Sequence, residues 1–98
     1  MPKPARDWLK DLPVEDRHSI GKDLMRVQFG WPIGMPLCCS LGQGLWEVRT
    51  SLGERIARVI FCFHDGKLIA LHGFIKKTKK APQAEIDLAA KRRKEFDT

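Results

Sequence analysis

The chain has 98 residues and a mass of 11.2 kDa, a length that fits one small domain spanning 1–98. Hydrophobic residues at 43% and charged residues at 31% exclude a disordered chain. No apolar run approaches the roughly 20 residues of a membrane span, and Met1 to Lys10 lacks the apolar centre of a secretory signal.

The net charge of +6 is one-sided. Residues 1–48 hold six basic residues (Lys3, Arg6, Lys10, Arg17, Lys22, Arg26) and six acids (Asp7, Asp11, Glu15, Asp16, Asp23, Glu47). The whole excess therefore lies in 49–98, densest at Lys76, Lys77, Lys79 and Lys80 and again at 91–94. Such asymmetry points to a polyanion or an acidic protein partner. A solvated loop and a solvated helix end explain the two runs equally simply. Cys38, Cys39 and Cys62 show no zinc-site spacing, and they read as reduced thiols of a cytoplasmic protein.

In chain order, Ala5 to Lys10 predicts a short helical turn. Pro13, Glu15 and Asp16 then suit a helix start. Ile20, Leu24 and Val27 follow at helical spacing up to Phe29, and Gly30 and Pro32 stop the helix. Residues 30–44 are rich in Gly and Pro and allow one short strand near Leu37 to Ser40. A meander follows: Leu45–Thr50, Arg55–Phe63 and Lys67–Ile75, with turns at 51–54 and 64–66. A basic loop leads to a helix from Pro82 through Glu95, with Ile86, Ala89, Ala90 and Arg93 on one stripe.

Alternation within the strands puts Trp46, Val48, Val59, Phe61, Phe63, Ile69, Leu71 and Ile75 on one face, toward the helices. A four-residue loop at 51–54 pairs Thr50 with Arg55, and hence Glu47 with Arg58. A three-residue loop at 64–66 pairs Phe63 with Lys67, and hence Arg58 with His72. Glu47, Arg58 and His72 then form one row facing away from the core, with Arg49 two residues along. A two-residue Asp65-Gly66 turn would instead flip the third strand. Arg58 interrupts the most apolar strand, where a charge must be paired or put to use. Two readings stand side by side: a structural ion pair with Glu47, or a phosphate-binding cation beside an imidazole. Trp8, Trp31 and Trp46 read as packing residues.

The stretches GLWEVRT, RIARVIFCF, LHGFIKKTKKAP and AEIDLAAKRRKEF, with LPVEDR and VQFGWPIGMPL before them, resemble the phage-derived HigB-like branch of the RelE/ParE superfamily, toxins of type II toxin–antitoxin systems. The resemblance covers nearly the whole chain. It implies a small α+β fold with helices packed on one face of a twisted antiparallel sheet of three to four strands. It also implies an open, concave face that binds RNA, and cleavage of mRNA in the ribosomal A site. A helix-turn-helix antitoxin would be the protein partner, mRNA and the ribosome the others, with no membrane involved.

Carried over residue by residue, the mid-strand basic position matches Arg58, and the basic position near the end of the preceding strand matches Arg49. The basic cluster after the last strand matches Lys76, Lys77, Lys79 and Lys80. Glu47 stands where RelE carries a lysine. The C-terminal Tyr or His of some relatives has no counterpart in a chain without tyrosine. Family members usually begin with a strand, whereas Met1 here lies a few residues before the first helix. The implied chemistry is cofactor-free attack of a ribose 2′-OH on the adjacent phosphate. No magnesium-binding carboxylate cluster is visible in the sequence, so Arg58, Arg49, His72 and Glu47 are the candidate catalytic residues.

Overall fold

A computed structural model describes residues 3–30, 38–76 and 83–97. Helices α1 (Lys3–Lys10) and α2 (Val14–Gly30) come first. Strands β1 (Cys38–Gly42), β2 (Leu45–Leu52), β3 (Arg55–His64) and β4 (Lys67–Lys76) follow, and then helix α3 (Gln83–Asp97). The strands form one antiparallel sheet in the order β1-β2-β3-β4, an α+β arrangement as expected. Among the described residues no helix is long and apolar enough to cross a membrane.

Turn chemistry sets the register, and it differs from expectation. Leu52 pairs with Arg55 and His64 with Lys67, so both hairpins close with two-residue turns. Asp65 and Gly66 both take positive φ, 52° and 76°, as a type I′ turn requires. Gly53, at φ 69°, occupies the first central position of its turn, where a type II′ turn needs glycine. These turns match the right-handed strand twist, which longer loops do not demand. Thr50 therefore pairs with Ala57 rather than Arg55, and Glu47 with Ile60 rather than Arg58. Phe63 pairs with Leu68, and Arg58 with Phe74 rather than His72.

The two-residue turn at 65–66 flips the first half of β4, so Ile69 lies opposite Cys62 and faces away from α1 and α2. A register shift between Ile60 and Phe61 then restores the parity. Phe61 pairs with Ala70 and Ile60 with His72, leaving Leu71 as the extra residue of a β-bulge. His72 thus returns to the face that carries Arg58.

Both faces of the sheet are covered. On one, α1 and α2 bury Ala5, Ile20, Leu24 and Val27 against Val48, Ala57, Val59, Phe61 and Ala70. Trp8, Trp46, Phe63 and Ile75 pack around this core. Trp8 lies against Gly73, where any Cβ would fall inside the indole ring. Thr50 Oγ1 donates to Asp23 Oδ2 at 2.8 Å, and Gln28 of α2 accepts from the Leu68 amide at 2.7 Å. Both bonds fasten α2 to the sheet. On the other face, α3 packs Ile86, Ala89 and Ala90 against Leu45, Ile60, Ile69, Leu71 and Phe74. Ile69 and Leu71, expected beneath the first helices, belong to this second core. The expectation of helices on one face only is corrected likewise. With apolar residues needed on both sides, alternation alone could not choose the face.

Candidate functional site

Glu47, Arg49, Arg58 and His72 share the face that α3 covers. Two cross-strand rows build the site. Glu47, Ile60 and His72 form one, and Arg49, Arg58 and Phe74 the next. The cross-strand partner of Arg58 is Arg49, a like charge that would repel it unless an anion intervened. Glu47 is that anion. Its Oε1 accepts from Arg49 Nε at 2.7 Å and from Arg58 Nη1 at 3.0 Å. Two guanidiniums thus converge on one carboxylate oxygen.

Burial divides these residues. The side chains of Glu47 and Arg58 are 0% exposed, and that of Arg49 is 28% exposed. The outward-facing guanidinium expected from the sequence is therefore corrected: Arg58 lies under cover. Ionised side chains are buried at this depth only when paired, and Glu47 supplies the pairing. Its second oxygen, Oε2, is buried without a hydrogen-bond partner among the described residues.

His72 is held from α3. Arg92 Nη1 donates to the Leu71 carbonyl at 3.1 Å and lies 2.8 Å from His72 Nδ1. A guanidinium has no acceptor, so Nδ1 must be the acceptor of that bond. The neutral ring then carries its proton on Nε2, which donates to Glu85 Oε2. The ring also stacks on Phe74, with centroids 5.6 Å apart and planes at 28°. Both ring nitrogens are thus engaged by α3.

Glu85 and Arg92 were missed by the sequence reading, which took 92–94 as a solvated helix end. The signal was there. Residues 85, 89 and 92 fall on one helical stripe, and Ala89, 0% exposed, lets the helix come close enough for its polar neighbours to reach the sheet. Arg93 donates to the carbonyl of the exposed Gln43 in the β1–β2 turn. Lys77, Lys79 and Lys80, and the side chain of Lys76, lie outside the described residues, as does Trp31. Among the described residues no three His, Cys, Asp or Glu side chains gather as a metal-binding group. A groove lies elsewhere, on α1 and α2, lined by Leu9, Met25 and Phe29 with Lys22 and Arg26 beside them.

The bulged sheet and the polar cluster on its second face meet a family match. The model of the phage derived protein Gp49-like family (DUF891) matches residues 7–94, nearly the full length. The chain belongs to the Gp49-like family. This is a RelE-like toxin family, so the broader part of the resemblance stands and the chain is a toxin-like module. No curated protein matches it. In the Gp49-like chain the matched span includes all of α2, the four strands and every residue of the cluster.

Proposed function

We propose that this Gp49-like protein is the toxin of a type II toxin–antitoxin pair, of HigB-like character, acting in the cytoplasm as a ribosome-dependent mRNA endonuclease. One observation carries the reading most of the way. Two arginines sit directly opposite each other in the middle of the sheet, share a single carboxylate, and lie one row from a histidine on the same face. A purely structural pair would need one guanidinium. The second, Arg49, is partly exposed and stands where a phosphate could meet it.

The chemistry follows from the groups present. A base removes the proton of a ribose 2′-OH, and the oxygen attacks the neighbouring phosphorus. The bond from phosphorus to the 5′-oxygen breaks, and that oxygen takes a proton. The products are a 2′,3′-cyclic phosphate and a 5′-hydroxyl. Arg49 and Arg58 stabilise the phosphorane, because guanidinium matches phosphate geometry and keeps its charge. His72 and Glu47 are the groups available for proton transfer. The lysines at 76, 77, 79 and 80 extend the basic surface along the RNA, and a helix-turn-helix antitoxin is the neutralising partner.

A second reading has its own observation. Complete burial of Arg58 and double engagement of His72 suit a toxin homologue that binds RNA or antitoxin without cutting. Translating ribosomes incubated with the protein, followed by mapping of transcript ends, separate the two. The endonuclease gives new 3′ ends carrying 2′,3′-cyclic phosphate, only when ribosomes are present, and His72→Ala removes them. Intact transcripts with salt-dependent RNA binding establish the non-cutting homologue. Intact transcripts with inhibited supercoiling would establish a gyrase poison of the ParE type.

A further inference from the structure

We propose that the groove along α2 is a docking site for an acidic amphipathic helix of another protein. The inference goes beyond the RNA reading and does not depend on it, because α2 packs on the face of the sheet opposite Arg49.

Helix α2 is apolar on two sides. At about 100° per residue, Ile20, Leu24 and Val27 fall on one stripe and enter the core. Met25 and Phe29 fall on the far side, 61% and 81% exposed. A single exposed apolar residue needs no explanation. These two continue from Leu9 and Leu24 into one open groove of about 840 Å³. The other side chains lining it are those of His18, Lys22 and Arg26, with no carboxylate among them. Arg26 reaches Asp23 at 3.5 Å, whereas Lys22 has no ion pair among the described residues. An apolar floor with a cationic rim is complementary to apolar residues flanked by acids.

Gly21 points to the shape of the occupant. It stands inside α2, where glycine is a poor helix former. Nothing lies within 4 Å of the place a Cβ would take, so no neighbour within the fold requires its absence. Gly73 is the contrast, since Trp8 fills that space. The gap at Gly21 lets another backbone come close. His18, Lys22, Met25 and Phe29 succeed one another at helical spacing, so the groove follows α2 for about three turns, roughly 16 Å. A helix laid along it meets the groove with side chains at i, i+3, i+4 and i+7.

The test is display of helical peptides of about 14 residues, apolar at those positions and randomised elsewhere, against the folded full-length chain. Enriched sequences should be acidic, and binding of the best peptide should weaken with salt. Met25→Ser and Phe29→Ser, both at exposed positions, should each lower its affinity about tenfold, as should Lys22→Glu. Val14→Ser, which removes an exposed apolar side chain outside the groove, should leave it unchanged. Gly21→Leu is diagnostic. Leucine is the better helix former, so the melting temperature should rise by roughly 4 °C, while the side chain filling the groove cuts binding about tenfold. Unfolding does not account for a loss of that kind. Enriched peptides that are basic or neutral, or no enrichment, overturn the proposal, and so does unchanged affinity in Met25→Ser or Gly21→Leu. Sedimentation of the chain alone and flotation with phosphatidylglycerol vesicles cover the other occupants. Self-association or vesicle binding that Met25→Ser abolishes, in place of peptide binding, overturns it as well.

Discussion

Arg58 donates to the buried Glu47 carboxylate, and removing one member of that pair differs from removing both. Arg58→Ala leaves Glu47 buried with its charge answered only by the half-buried Arg49. Breaking a buried pair from one side costs about 3–5 kcal/mol, a large share of a small domain's stability. Replacing both members with apolar residues, as in Glu47→Leu with Arg58→Met, removes the charges together and is expected to recover most of the loss. Denaturant unfolding of the single and double variants checks this. Equal destabilisation in both would show that the pair is not the unit.

Cys38 makes a second claim at this scale. Burial first, and the nearby Asp23 carboxylate second, push its thiol pKa up. The folded chain thus holds that proton more tightly than the unfolded one. The resulting stabilisation is complete below the unfolded thiol's pKa and is lost as pH rises through the higher folded value. Melting temperatures of the wild type should fall as pH rises above the ordinary thiol range of about 8.5, and Cys38→Ala should fall less steeply. Parallel curves would remove the effect. Arg58 itself was legible as a candidate because a charge stood inside an apolar run. Its partner was named correctly as well, though through a register that the turns do not adopt: Glu47 reaches Arg58 diagonally, from the neighbouring row. Glu85 and Arg92 are legible only through the stripe they share with Ala89, because charge by itself does not tell a helix face on solvent from one on a sheet.

The elements were readable nearly to their ends. Periodicity located α2, the three long strands and α3, since each shows a repeat of its own kind over many residues. What the periodicity did not contain was the bulge at Leu71. One inserted residue has no compositional mark, yet it decides which side of the sheet receives His72. The two-residue turn displaced the imidazole from the arginine face and the bulge returned it, so the final placement agreed with expectation through two compensating departures.

Gly73, beside the bulge, shows how tightly this strand is fitted. Its missing side chain is the space into which Trp8 of α1 packs. Gly73→Ala should destabilise the fold by about 1–3 kcal/mol through overpacking, read as a lower denaturant midpoint. An unchanged midpoint would mean that α1 is free to move away from β4.

For the molecule as a whole, α+β architecture was legible, whereas the number of covered faces was not. A sheet buried on both sides carries apolar residues at both parities, and β3 does so with Val59 and Phe61 on one face and Ile60 and Cys62 on the other. Only the three-dimensional packing shows that Glu47 and Arg58 are buried rather than in solvent. Charge asymmetry retains its meaning at this scale. The half of the chain that carries the excess supplies Arg49, Arg58 and the cationic residues of α3, while the neutral half supplies the helices that close the opposite face.

The central claim is that Arg49 and Arg58 meet RNA phosphate. Arg49 tests it most directly, because its removal leaves Glu47 paired with Arg58 and the fold intact. The measurement is the rate at which 2′,3′-cyclic phosphate ends form on ribosome-bound mRNA, for Arg49→Ala against Arg6→Ala, an exposed arginine on α1 across the sheet. Loss of one phosphorane-stabilising donor predicts a fall of about 10²–10³ for Arg49→Ala and no change for Arg6→Ala. Equal rates in the two variants would contradict the account.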